Sequence, residues 1–153
     1  MRSGRRIAFD VGKARVGVAL SDFHAILATP IDHLTRSADL AALIAEASKI
    51  VTENEAIEIY VGLPLNLKNE STLSTEDAVD FARALALQTD VAVRLIDERL
   101  TTTSAASALR SAGHAAKSQK SLIDSAAAAV ILEQAISQEK ISNTAPGIAI
   151  EDY

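Results

Sequence analysis

Apolar residues recur along the chain with two different spacings, and these spacings predict where strands and helices lie. Five short apolar runs are typical of strands, at 5–11, 16–21, 29–35, 56–61 and 91–96. Helical spacing predicts a first helix after Ser37, a second from near Ser74 and a last one over about 122–137. A further helix is predicted to open at 101–104 and to end at Gly113, because glycine is a common C-terminal cap. The predicted order is β-β-β-α-β-α-β-α-α.

This order predicts an α/β fold built on a five-stranded mixed sheet. The first three strands can pair antiparallel through short turns, and the later two, each reached through a helix, should run parallel to the first. Helices are then expected on both faces of the sheet. We expect one domain over residues 1–140, followed by a flexible C-terminal tail over 141–153, where neither spacing is present.

Composition narrows the class of protein. The chain has 153 residues, of which 48% are hydrophobic, as expected for one globular domain. It contains no cysteine, which excludes disulfides, thiolate zinc sites and cysteine nucleophiles. No apolar run reaches the ~18 residues typical of a membrane span, and none suggests a signal peptide, so we expect a cytoplasmic protein. The formal net charge of −5 argues weakly against broad coating by nucleic acid, but it does not exclude local contact.

Three acids stand at the ends of predicted elements. Asp10 ends the first strand, Glu98 follows the last strand, and Asp124 lies in the first turn of the last helix. Active sites of open α/β sheets lie at the carboxyl ends of the parallel strands, so Asp10 and Glu98 should face one cleft. Two carboxylates ~5 Å apart repel by about 3 kcal/mol at an effective dielectric near 20. A divalent cation turns this repulsion into attraction, and oxygen ligands favour Mg²⁺ or Mn²⁺.

The residues alone leave two of these assignments open. Strand alternation does not choose between Asp97 and Glu98 as the acid that faces the cleft. Asp124 also fits the third position of a capping box that begins at Ser121, and this role is slightly favoured over metal binding. Asp10 is the clearest candidate, because a strand this apolar has little other reason to end in a carboxylate.

Charge placement suggests one anion-binding segment. Residues 109–121 contain no acid but include Lys117 and Lys120, which modestly favours contact with an anion over a merely solvated surface. His24 and His33 show no zinc spacing, and a structural role is favoured for both.

Five motifs, in order along the chain, add a resemblance to a known family. The chain resembles the YqgF/RuvX family, described as Holliday junction resolvase-like proteins or pre-16S rRNA nucleases with a ribonuclease H-like fold. The resemblance spans residues 5–137 and rests on Asp10-Val11-Gly12 with Arg15-Val16-Gly17-Val18-Ala19, Ala28-Thr29-Pro30, Val61-Gly62-Leu63-Pro64, Asp97-Glu98-Arg99-Leu100-Thr101-Thr102, and Ile123-Asp124. A single Asp-x-Gly is weak, whereas five ordered motifs are highly specific.

The resemblance implies an enzyme, a nuclease of the two-metal-ion type. It implies that Asp10, Glu98 and Asp124 are the catalytic acids and hold Mg²⁺ or Mn²⁺ as two ions. The implied substrate is structured nucleic acid, either the 5′ end of pre-16S rRNA or a Holliday junction, and ribosomal particles are possible partners. The protein would act as a monomer or homodimer.

The resemblance also implies backbone contacts from four cations, Arg15, Arg99, Lys117 and Lys120. The basic run before the last helix is thinner here than in many relatives, which puts substrate affinity in question more than the metal site.

Two other function classes remain as alternatives. One is a nucleotide-binding ATPase of the actin and sugar-kinase type, which also places Asp-x-Gly after a first strand. That architecture needs two lobes, and this chain has room for one. The other is a non-catalytic RNA- or ribosome-associated module that keeps the acids as a structural metal site.

Overall fold

The computed structural model describes residues 1–66, 68, 70–98 and 123–153. Within these ranges six strands form one sheet in the order β3-β2-β1-β4-β5-β6. The strands are β1 Arg6–Val11, β2 Arg15–Ser21, β3 Ala28–Thr35, β4 Glu58–Leu63, β5 Ala92–Asp97 and β6 Ile148–Ala149. The helices are α1 Leu40–Glu53, α2 Leu73–Gln88 and α3 Ala126–Ser142, and a short 3-10 helix spans Ile150–Asp152.

Strand pairing follows the predicted directions. β1, β2 and β3 pair antiparallel, while β4 lies parallel to β1 and β5 lies parallel to β4. The α/β class with a mixed sheet and helices on both faces is therefore confirmed. The helix predicted between 101 and Gly113 lies outside the described residues.

The predicted number of strands is wrong by one, because the C-terminal segment adds β6 antiparallel to β5. The expectation of a frayed tail does not describe this segment, since Ile150 is buried in the core. Arg94 donates hydrogen bonds to the carbonyls of Pro146 and Gly147 and so holds the chain against β5. Gly147 adopts a φ of +71°, which favours glycine. Two paired residues are too few to produce a recognisable strand period, and this explains the missed element.

The two faces of the sheet carry different helices. Large residues such as Ile7, Phe9 and Val61 pack on one face with buried residues of α1 and α2. The opposite face presents Ala8 and Ala19 to α3, whose alanines allow the helix to lie close to the sheet. Ser125, fully buried just before α3, accepts a hydrogen bond from the Val18 amide at 3.0 Å. This contact fixes the start of α3 over β2.

Helix starts are set by side-chain caps. Asp39, rather than Ser37, caps α1 by accepting a hydrogen bond from the Ala41 amide at 3.0 Å. Thr72 and Thr75 form a capping box at the start of α2, slightly before the predicted position. No helix within the described ranges has the length and apolar character needed to span a bilayer.

A buried group of charges, which we call the amino-end cluster, lies where β1 and β4 begin and α3 ends. It consists of Arg2, Arg6, Glu58 and Glu139. Arg6 and Glu139 are only 1% and 2% exposed, and the Arg6 guanidinium donates to Glu139 at 2.9 Å. Arg2 donates to both Glu58 and Glu139, and these hydrogen bonds raise its pKa. Burial opposes ionisation of Glu139, but hydrogen bonds from Arg2 and the charges of both arginines outweigh it and lower its pKa.

Candidate metal centre

Asp10 and Glu98 lie together at the carboxyl ends of the parallel strands. Ala8 of β1 and Ile96 of β5 both pack on the face covered by α3. Because side chains alternate along a strand, residues two positions further on project to the same face. Glu98 is hydrogen-bonded to Asp10 there, across the end of the intervening β4.

The same alternation separates Asp97 from Glu98. Leu95 packs in the core on the face of α1 and α2, so Asp97, two residues later, belongs to that face. Glu98, not Asp97, is therefore the acid that meets Asp10. Sequence spacing left the choice between Asp97 and Glu98 open. The structure decides it through the pairing of β5 with β4 and of β4 with β1.

The pairing of two acids perturbs Glu98 strongly. Burial of the carboxyl, its hydrogen bond with Asp10, and the charges of Asp10 and Asp97 together raise the pKa of Glu98 to about 8. A protonated Glu98 carboxyl can donate the hydrogen bond to Asp10. This part of the molecule gathers negative charge that a cation would neutralise in place of the proton.

Asp124 lies on the same face, immediately before Ser125 and α3. Its backbone oxygen stands 2.6 Å from where a side chain on Gly17 would begin, and Gly17 is the cross-strand partner of Asp10. The Asp124 side chain points toward Arg15 and His33, with Oδ2 3.5 Å from Arg15 Nε and 3.5 Å from His33 Nδ1.

Asp124 Oδ2 is a buried oxygen that makes no hydrogen bond within the described part of the chain. The capping-box interpretation involves Ser121, which lies outside the described residues, so it is left open as a prediction. Ser125, rather than Asp124, stands at the N-cap of α3. A buried carboxylate oxygen that makes no hydrogen bond is a donor that a divalent cation could satisfy.

The three predicted acids do not form one cluster. Among residues 1–66, 68, 70–98 and 123–153, no three Asp, Glu, His or Cys side chains are close enough together to hold a metal ion. Asp10 and Glu98 meet, and Asp124 is turned aside toward Arg15 and His33. The acids fit a hard divalent cation in donor type and charge.

Of the four residues predicted to contact nucleic acid, Arg15 lies within the described part of the chain. Arg15 begins β2, and its side chain is 47% exposed beside Asp124. The predictions for Arg99, Lys117 and Lys120 lie outside the described residues.

His33 is a residue of the site that sequence reasoning missed. The pairing of β2 with β3 shifts register between Val16 and Val18, where β3 carries one extra residue. This β-bulge includes His33 and aims it toward Asp124. Bulges leave no mark in a hydrophobic pattern, so the sequence offered no signal for this contact.

Comparison with known proteins assigns the family. Residues 4–138 match the RuvX family, described as Holliday junction resolvase. The chain belongs to this family. Two curated relatives are named "Putative pre-16S rRNA nuclease". The relative from Leifsonia xyli subsp. xyli is 49% identical over 99% of this chain and 97% of its own length. The relative from Streptomyces coelicolor is 43% identical over 99% of this chain and 90% of its own length.

Solved structures show the same fold. A complex of T. thermophilus RuvC with a Holliday junction substrate has a TM-score of 0.62 at 16% identity, covering 94% of this chain and 99% of that one. A second Thermus thermophilus RuvC structure gives a TM-score of 0.56. The chain therefore has a RuvC-like ribonuclease H fold, and the family and the relatives together support a nuclease, a hydrolase of nucleic-acid ester bonds.

Proposed function

We propose that the protein is a metal-dependent endonuclease whose principal substrate is the 5′ end of pre-16S rRNA. Support for the reaction comes from the RuvX family match and from the fold. Support for the RNA substrate comes from the printed names of the relatives. The observation that carries the proposal is the partly buried Asp10–Glu98 pair at the carboxyl edge of the sheet, with the raised pKa of Glu98.

Asp10, Glu98 and Asp124 are the proposed metal-holding residues, and Mg²⁺ or Mn²⁺, as two ions, is the proposed cofactor. Nucleases with this fold generally depend on divalent metals. When bound, such ions lower the pKa of water and stabilise the charge on a departing phosphate oxygen.

The chain's own residues prepare this chemistry. Glu98 and Asp10 give up their shared proton and offer carboxylate oxygens instead. Asp124 supplies a buried oxygen from the start of α3. Arg15 is placed to contact a phosphate at the mouth of the site. In the proposed hydrolysis, water adds to phosphorus, the bond to the 3′ oxygen breaks, and the products carry a 5′-phosphate and a 3′-hydroxyl.

The proposal extends to partners and surroundings. Arg99, Lys117 and Lys120 are proposed to contact the nucleic-acid backbone together with Arg15. An rRNA substrate implies contact with ribosomal particles in the cytoplasm. We further propose that the sheet and its helices, β6 included, form one nuclease domain, acting as a monomer or homodimer.

The deciding experiment compares two substrates with one enzyme preparation. A pre-16S rRNA fragment and a four-way DNA junction are each incubated with Mg²⁺, with Mn²⁺ and with chelator, beside the Asp10→Asn variant. We expect metal-dependent cleavage of the RNA, lost in chelator and in Asp10→Asn. Cleavage that persists in Asp10→Asn, with contaminating nucleases excluded, would overturn the assignment of the acids.

The remaining outcomes separate the alternatives. Preferential cleavage of the junction would replace rRNA maturation by Holliday junction resolution. Binding of RNA without metal-stimulated cleavage of either substrate would favour the non-catalytic module. Tight binding of ATP by calorimetry would favour the nucleotide-binding alternative.

A further inference from the structure

Gly62 occupies an unusual position for a glycine. It lies in β4, where every residue is buried, and its register partner is Ile96 of the neighbouring strand. Glycine weakens a strand because it has no side chain to pack and loses more backbone entropy than other residues. Its presence at the centre of a sheet is commonly explained by the close approach of another group.

The approaching group at Gly62 is the Glu98 carboxyl. A Cβ atom built on Gly62 would lie 2.8 Å from both Cδ and Oε1 of Glu98. It would also lie 2.6 Å from Cδ1 of Ile131, a fully buried residue of α3. Real Cβ atoms essentially never make contacts shorter than 3.0 Å, so at least one of these groups would have to move.

The Glu98 carboxyl that lies over Gly62 is the same group that reaches Asp10. It is hydrogen-bonded to Asp10 on β1, and β4 runs between β1 and β5. The space above Gly62 is therefore the place where the Glu98 carboxyl lies as it reaches across β4. A methyl group there would separate Glu98 from Asp10 without changing either acid.

Gly17 provides a second, different case on the same face. A Cβ atom on Gly17 would lie 2.6 Å from the backbone oxygen of Asp124 and 3.1 Å from Cα of Ser125. That contact involves the main chain that precedes α3, so a substitution there would displace a whole segment. Of these two glycines, Gly62 is the one whose side chain would meet the tip of a proposed catalytic carboxyl, together with Cδ1 of Ile131, rather than the main chain before α3.

We propose that Gly62 is a positioning residue for metal binding, because its missing side chain is the space in which Glu98 meets Asp10. This inference rests on the proposed function, since it assumes that Asp10 and Glu98 hold the ion. The competing explanation is packing alone, in which Gly62 merely accommodates Ile131. The chain allows the two to be separated, because Ile131→Val removes the Cδ1 atom that a Gly62 side chain would meet and leaves Glu98 untouched.

The experiment uses four full-length proteins: wild type, Gly62→Ala, Ile131→Val and Gly62→Ala/Ile131→Val. Mn²⁺ affinity is measured by calorimetry on chelator-treated protein, thermal unfolding is measured in chelator, and cleavage is resolved into kcat and KM. We expect Gly62→Ala to lower Mn²⁺ affinity at least tenfold and to reduce kcat with little change in KM. Ile131→Val should bind Mn²⁺ like wild type. The double variant should regain thermal stability without regaining Mn²⁺ affinity.

The outcomes distinguish this inference from the proposed function. If wild type binds no Mn²⁺, the proposed function fails. If wild type binds Mn²⁺ and Gly62→Ala binds it equally well, only the role of Gly62 is refuted. Recovery of wild-type affinity in the double variant would assign the effect to Ile131 packing. Failure of both alanine variants to fold would also overturn the inference, because the space would then be needed by the whole fold.

Discussion

The protein buries carboxylates at both ends of its sheet, and the two ends neutralise them in different ways. In the amino-end cluster Glu58 and Glu139 meet the guanidinium groups of Arg2 and Arg6, and the pKa of Glu139 is lowered. At the carboxyl end Glu98 meets another acid, Asp10, and its pKa is raised to about 8. The charges of the amino-end cluster are neutralised within the chain, whereas the acid pair at the carboxyl end needs a proton or a cation from solution.

This difference distinguishes charges that stabilise the fold from charges that are available to bind a ligand. A buried ion pair that is satisfied within the chain has no capacity left for a ligand. A partly buried pair of like charges costs folding free energy, and that cost is relieved when a proton or a metal cation binds. The stability of the metal-free protein and its affinity for metal should therefore change in opposite directions when the Asp10–Glu98 pair is altered.

The largest expected effect comes from neutralising one member of the acid pair. Glu98→Gln should lower metal-dependent cleavage by about a thousandfold or more, which corresponds to about 4 kcal/mol of transition-state stabilisation. The matched control is Asp97→Asn, because the neighbouring acid belongs to the opposite face and should retain most activity. Single-turnover cleavage in saturating Mg²⁺ measures both. Equal loss in the two variants would contradict the assignment of faces.

The amino-end cluster should respond through stability. Glu139→Gln removes the negative charge that pairs with buried Arg6 and that Arg2 shares with Glu58. Breaking a buried ion pair in this way typically lowers the free energy of unfolding by about 3–5 kcal/mol. Urea denaturation measures this loss. Glu133→Gln, an exposed position on the same helix, is the control and should stay within about 0.5 kcal/mol of wild type. A Glu139→Gln variant as stable as wild type would remove the basis of the comparison.

The pH dependence of stability tests the acid pair without any substrate. The folded-state pKa of Glu98, about 8, lies above its ordinary value of 4.5, so the protonated carboxyl stabilises the fold. That contribution is complete below about pH 4.5 and is lost as pH rises toward 8. We expect metal-free protein to lose on the order of 2 kcal/mol between pH 5 and pH 8.5, after screening by solvent.

Two comparisons isolate this effect in urea denaturation. Glu98→Gln cannot ionise, so its stability should change less over the same pH interval and should exceed that of wild type at pH 8.5 in chelator. Mn²⁺ should restore the stability of wild type at pH 8.5 and leave Glu98→Gln nearly unchanged. Identical pH profiles for the two proteins would show that Glu98 ionises normally.

The sequence predicted the acid pair because its placement depends on simple rules. Strand ends are visible in the apolar pattern, and the carboxyl ends of parallel strands share one edge. Whether Asp97 or Glu98 faces Asp10 depends on register, which the pattern could not supply. The direction of the Asp124 side chain depends on Arg15 and on His33, which a bulge places there. These contacts join segments far apart in the chain, and no local signal encodes them.

The amino-end cluster was missed for a related reason. Arg2 and Arg6 stand near the N-terminus, where isolated cations usually face solvent. Their burial follows from the meeting of β1, β4 and the last turns of α3, and Glu139 lies 133 residues from Arg6 in sequence. Strand β6 was missed because it is two residues long. The amino-end cluster and β6 are therefore set by tertiary contacts, which local sequence patterns do not encode.

The smallest expected effect concerns Asp124, whose side chain faces Arg15 and His33. Its Oδ2 lies 3.5 Å from each of them. A partly exposed ion pair of this kind contributes about 0.2–1 kcal/mol, which metal binding must overcome before Asp124 can join Asp10 and Glu98. His33→Ala should therefore tighten Mn²⁺ binding by about threefold, equivalent to about 0.6 kcal/mol. Calorimetry on chelator-treated protein measures this change, and His24→Ala in the β2–β3 connection is the control. Weaker Mn²⁺ binding in His33→Ala would instead make His33 a supporting group of the metal site and would place Asp124 in its working orientation already.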